Sequence, residues 1–94
     1  MSDTKNIEVL NIARAVSDEQ EASGNWSEIY MRNDGKYMRL SNNMKMMAVT
    51  VNVREDKIDV EMHCDRSFID KTVEVTADAL NKVINALHDD CLAY

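Results

Sequence analysis

The four residues Asn33-Asp34-Gly35-Lys36 constrain this chain more than any other feature. Asp-Gly tolerates the positive φ angles of a two-residue type I′ hairpin turn, and such a turn fixes which residues face one another across the strands it joins. The predicted pairs are Arg32 with Tyr37, Met31 with Met38, Tyr30 with Arg39, and Ile29 with Leu40. Side chains alternate between faces along a strand, so a register is also a sorting of residues. Here it puts Ile29, Met31, Met38 and Leu40 on one side. Trp26, Glu28, Tyr30, Arg32, Tyr37 and Arg39 fall on the other.

The next segments continue the same sorting. Asn42-Asn43 predicts a second tight turn, with Met47 opposite Met38. The third strand then adds Met47, Val49, Val51 and Val53 to the apolar side, and Met46 and Ala48 to the other. A turn over Arg54-Glu55-Asp56-Lys57 leads to a fourth strand. Its Ile58, Val60, Met62 and Cys64 point inward, and Asp59, Glu61, His63 and Asp65 outward. Three turns chosen on local chemistry agree on one apolar face, and agreement between levels outweighs any single propensity. Thr72-Val73-Glu74-Val75 reads either as a short fifth strand or as an extended lead into a helix.

Helical patterns flank the strands. From about Thr4 to Glu21, Val9, Leu10, Ile12, Ala13 and Val16 form an apolar stripe at helical spacing. Asp18, Glu19 and Glu21 oppose the macrodipole at that helix's C-terminus, so its last turn is expected to fray before Ser23-Gly24 ends it. Thr76 is the N-cap of a final helix with Asp78 in its first turn and Leu80, Val83, Ile84, Leu87 and Cys91 on one stripe. Asn81, Lys82, Asn85 and Asp89 lie away from that stripe, and His88 reads as a solvated helix-end group. One apolar sheet face and two amphipathic helices have an economical solution, in which both helices cover that face. The expected fold is α+β: N-terminal helix, four-stranded antiparallel meander with the short fifth strand as an option, and C-terminal helix, in a two-layer sandwich.

Length places one domain over residues 1–94, with a small core and a thin stability margin that dimerisation would relieve. The absence of Pro and the presence of only two Gly argue against long linkers. No apolar run is long enough to span a bilayer, and no basic segment followed by an apolar block opens the chain. Two cysteines make no disulfide framework, so Cys64 and Cys91, both on core-facing stripes, are expected as buried thiols, a redox pair being the alternative, and the location as cytoplasmic.

Catalytic and metal signatures are weak. His63-Cys64-Asp65 resembles a ligand cluster only on paper, because strand neighbours point to opposite faces and cannot converge on one ion. Nucleophile elbows, phosphate-cradling Gly loops and His-Glu-x-x-His are missing from the sequence. The chain is therefore read as a non-enzyme without metal or cofactor.

Charge is segregated. Residues 1–28 carry −4, residues 29–54 carry +4, and residues 55–94 carry −6, giving a net −6. Overall acidity disfavours duplex DNA, where phosphate neutralisation supplies most of the affinity. The basic block coincides with the aromatic side of the hairpin. Aromatic, Met and Arg residues are enriched where proteins bind proteins. Trp26, Tyr30, Arg32, Tyr37, Arg39 and Met46 are therefore the expected binding face of a small acidic inhibitor or regulator that docks on a larger protein. The same face could pair two copies of the chain. Single-stranded RNA stacking on the aromatics is the alternative, opposed by the acidic outer side of the fourth strand.

Overall fold

The computed structural model describes residues 2–64 and 67–92, and side chains over 8–64 and 68–90. The order is α1 (Ser2–Ser23), β1 (Glu28–Met31), β2 (Tyr37–Asn42), β3 (Met47–Arg54), β4 (Lys57–Cys64), β5 (Ser67–Glu74) and α2 (Ala77–Leu92). The strands form one antiparallel meander in the order β1-β2-β3-β4-β5. The α+β architecture is as expected, with the fifth strand formed and longer than Thr72–Val75. The expected outward position of Asp65 lies outside the described residues.

The first hairpin keeps the predicted register: Ile29 faces Leu40, Tyr30 faces Arg39, and Met31 faces Met38. Its turn differs from the prediction. The Arg32 N–H donates to the Tyr37 carbonyl at 2.9 Å, leaving residues 33–36 as a four-residue loop. The Gly35 N–H donates to the Arg32 carbonyl at 2.9 Å, and Gly35 alone in this loop has a positive φ, +74°. A type I′ turn needs two positive φ angles, and Asp34 does not supply one. Gly35 is also buried against α1. A Cβ at this position would lie 2.8 Å from the Leu10 Cα and 3.2 Å from the Ala13 Cβ.

The second turn slips in register without changing the sorting. Asn42 pairs with Met47, and Met38 faces Val51 rather than Met47. Asn42 is the last strand residue. Its Oδ1 accepts from the Lys45 N–H at 3.0 Å and its Nδ2 donates to the Asn25 carbonyl at 2.9 Å. The loop is therefore 43–46, closed by Met46 at φ +53°. The register moves by four residues, and an even shift leaves every side chain on its original face.

Cross-strand rows define the two faces. The inner rows are Ile29–Leu40–Val49–Met62–Ile69 and Met31–Met38–Val51–Val60–Lys71. Met38, Leu40, Val49, Val51, Val60 and Met62 are buried, joined by Ala13 and Val16 from α1 and Leu80, Ile84 and Leu87 from α2. Both helices thus cover the same face. Lys71 ends its row on β5, one of the two edge strands, pointing to the helix side yet exposed. An inward-pointing charge on an edge strand discourages pairing with another chain.

Three details correct the helical readings. The last turn of α1 is held rather than frayed. The Ser23 hydroxyl donates to the Gln20 carbonyl at 2.6 Å, and the Gly24 N–H donates to the Glu21 carbonyl at 3.2 Å. Gln20 itself is 1% exposed, its Nε2 donating to Asn81 Oδ1 at 3.0 Å and Asn85 Oδ1 at 3.1 Å. His88 is 7% exposed, edge-on to Trp26 at 5.3 Å, and so is no solvated end group. At the other end, α2 starts as predicted: the Ala79 N–H donates to the Thr76 hydroxyl at 3.1 Å. Cys64 is half-buried and disulfide-bonded, not a thiol. The side chain of Cys91 lies outside those described.

Candidate functional site

On the sheet face opposite the helices a short outward row, Arg54–Lys57–Glu74, closes one end, and three longer rows fill the rest. The longer rows are Tyr30–Arg39–Thr50–Glu61–Asp70, Tyr37–Asn52–Asp59–Thr72, and Glu28–Ser41–Ala48–His63–Phe68. The first two of these run from the basic–aromatic side of the sheet to its acidic side, whereas the third starts at Glu28 and ends at His63 and Phe68. The alternation of β-strands forces this arrangement once the inner rows are buried.

Of the six residues expected on the binding face, the structure brings together Tyr30, Tyr37 and Arg39. The Tyr30 and Tyr37 rings lie 6.0 Å apart, tilted by 57°, and Tyr30 is 57% exposed. Arg39 is exposed, between Tyr30 on β1 and Thr50 on β3. Among the described residues it has no ion-pair partner.

Arg32 is present beside them but engaged. Its Nε and one terminal nitrogen each donate to an Asp34 carboxylate oxygen at 2.9 Å. The Lys36 N–H donates to the same carboxylate at 2.9 Å. These hydrogen bonds, Arg32 first, hold the Asp34 carboxyl at about 2, and the pair raises Arg32 in turn. Arg32 serves the turn before it serves a partner.

Met46 belongs to the 43–46 loop rather than to β3, and it is 72% exposed. It borders a shallow open groove on the outer face, together with Arg39, Ser41, Ala48 and His63. Trp26 is the expected residue that moves away. It precedes β1 and packs on the helix side, where its Nε1 donates to Gln20 Oε1 at 2.9 Å. Alternation could not place it, because it lies outside the strand.

Sequence reasoning missed two contributors. Phe68 is 57% exposed on the outer face, edge-on to His63 at 4.8 Å. It falls in a segment whose conformation was ambiguous from residue pattern alone. Its period-two position relative to Ile69 and Val73 is the signal that would have found it. Met44 is 94% exposed at the tip of the 43–46 loop, beside Met46.

The acidic side is less well paired than its charge count suggests. Asp59 meets Arg54 at 2.7 Å and accepts from Thr72 at 3.3 Å. Glu61 meets only His63, at 3.8 Å, and Asp70 has no ion pair among the described residues. The described residues hold no cluster of three or more His, Cys, Asp or Glu able to bind a metal ion. No described helix is long and apolar enough to cross a membrane. No protein family, curated protein or solved structure matches this chain.

Proposed function

We propose that this chain is a non-catalytic protein-binding module, an inhibitor or regulator that docks on a larger protein through the open face of its sheet. The observation that carries the proposal is the bare outer side of β1 and β2. Tyr30 and Arg39 stand exposed there, Tyr37 lies tilted against Tyr30, and Met46 lines the adjoining groove. Rigid aromatics and Arg on a preformed sheet give contact area at little entropic cost. The docking surface is Tyr30, Tyr37, Arg39 and Met46, with Phe68 and His63 at its far rim. Arg32 supports the turn, and Trp26 belongs to the interior.

The test is comparative capture from the native cell. Wild-type chain and the Tyr30→Ala/Arg39→Ala variant are used as baits, each shown folded by circular dichroism. A partner held by the wild type and lost by the folded variant supports the proposal. Equal capture by both removes this face from consideration. Retention of single-stranded RNA with a steep salt dependence would replace it with the nucleic-acid reading, although Glu61 and Asp70 lie in the path of a tracking phosphate chain.

A further inference from the structure

The long outward row contains a pattern that a foreign partner alone does not use. Thr50 is at its centre on β3. One strand to one side stands Arg39, and one strand to the other stands Glu61, with Tyr30 and Asp70 at the ends. Arg39 and Asp70 have no ion partner among the described residues, and Glu61 has only the distant His63. Along the middle of the central strand the outward side chains are small, Ala48, Thr50 and Asn52, and Arg54 at the strand's end is held by Asp59 at 2.7 Å. Small central residues permit close approach of a second sheet, at about 10 Å.

A uniformly acidic occupant would satisfy Arg39 and be repelled by Glu61 and Asp70. A uniformly basic one would do the reverse. Only an occupant carrying the reversed order satisfies both sides, and a two-fold axis along β3 supplies that order from the same sequence. We propose that the open sheet face closes on a second copy of this chain about such an axis. Arg39 of each copy then lies over Glu61 of the other, Tyr30 over Asp70, and Thr50 over Thr50. Two twisted sheets pack face to face with strands near −30°, an arrangement that a two-fold axis along the strands allows. Five strands at about 4.8 Å spacing and six residues at about 3.3 Å give a footprint of roughly 400 Å². That is a small interface, so the dimer is reversible and concentration-dependent. Pairing along the β5 edge is the poorer route to a dimer, because Lys71 points inward along it. The inference uses the face named above but does not require that a foreign partner exist.

Sedimentation equilibrium of the full chain over a wide concentration range tests it. The wild type is expected to form a dimer that weakens with salt. Arg39→Glu and Glu61→Arg should each weaken it by about tenfold or more, and the Arg39→Glu/Glu61→Arg double variant should restore it, because the swap exchanges the two sides of each pair. A wild type that stays monomeric at every concentration overturns the proposal. So does a dimer indifferent to the single changes, or a folded double variant that fails to recover. Should the swapped chains not fold, Thr50→Lys carries the test by bringing like charges together on the axis, and a dimer that survives it is equally fatal. Partner capture is scored separately. A monomer that still captures its partner sinks this inference and leaves the docking function standing.

Discussion

Replacing Gly35 by Ala adds a single methyl group, and the structure says where it goes. The new Cβ would lie 2.8 Å from the Leu10 Cα, 3.2 Å from Leu10 Cδ1 and 3.2 Å from the Ala13 Cβ. The closest of these is helix backbone, which cannot rotate aside as a side-chain tip can. Relief requires moving α1 off the hairpin. Gly35 also has φ +74°, where an L-residue is strained. Gly24 is the natural control: its φ is +72°, yet nothing lies within 4 Å of the position a Cβ would take. Both variants incur the left-handed penalty of about 1–2 kcal/mol, offset by about 0.5 kcal/mol from a less flexible unfolded chain. Only Gly35→Ala adds overpacking, worth about 1–3 kcal/mol.

The expected losses are therefore about 1 kcal/mol for Gly24→Ala and about 2–4 kcal/mol for Gly35→Ala. A domain of this size has about 5–14 kcal/mol of stability in total, so the second change is severe. Urea titration followed by circular dichroism reads both, with m unchanged and the midpoint lowered. The two glycines share a backbone conformation, so their difference isolates the contact with α1. Equal losses in the two variants would refute the claim that the hairpin loop is clamped against the helix.

The remaining predictions address other parts of the molecule. Gln20→Ala strips the buried bonds to Trp26, Asn81 and Asn85 and should cost about 2–4 kcal/mol. Trp26 is the chain's single tryptophan, so its emission in the folded variant should shift as its indole N–H loses its acceptor; unchanged emission and stability would refute the network. Asp34 should titrate near 2 by NMR. Its folded value lies below its unfolded one, so what the Arg32 pair contributes is present above the ordinary carboxylate range and is lost as pH falls towards 2. Arg32→Gln should move the Asp34 midpoint upward, and a midpoint that stays put would show that Arg32 is not the cause. Cys64 should resist alkylation in unfolded, unreduced protein and accept it after reduction, read by intact mass; labelling without reductant would contradict the disulfide.

How far the sequence could be read depended on periodicity. Alternation put the strand residues it assigned in β2, β3 and β4 onto the correct face, because burial of Leu40, Val49 and Val60 leaves a strand only one orientation, while Asn42, Arg54 and Lys57, read as turn residues, extend the strands. It survived a register error of four residues between β2 and β3, since parity rather than register decides facing. It failed where side chains act outside a periodic element. Trp26 precedes its strand, and Gln20 lies beyond the apolar stripe of α1. Asn81 and Asn85 are polar residues on the margin of the α2 stripe, and a hydropathy pattern assigns such residues to water. The disulfide was legible only as an alternative, from Cys64 and Cys91 both lying on core-facing stripes, because that pattern alone does not distinguish a bonded pair from two buried thiols.

These interior polar groups bear on why the outer face stays open. Gln20 meets Asn81 and Asn85 across the two helices and Trp26 beneath them, and no buried side-chain polar atom among the described residues lacks a partner. A fully satisfied buried network holds only in one relative placement, because any slide leaves a desolvated amide unpaired. The helices are thereby committed to the inner face. Nothing else in the described chain can cover Tyr30 or Phe68, and covering them with an apolar helix would also strip water from Arg39, Glu61 and Asp70. Burying unpaired ions costs several kcal/mol each, more than two half-exposed rings return. Apolar area alone therefore cannot close this face. An occupant must bring charges that match it, and that requirement is the reason to look first for a partner whose order of charge is the reverse of the row through Thr50.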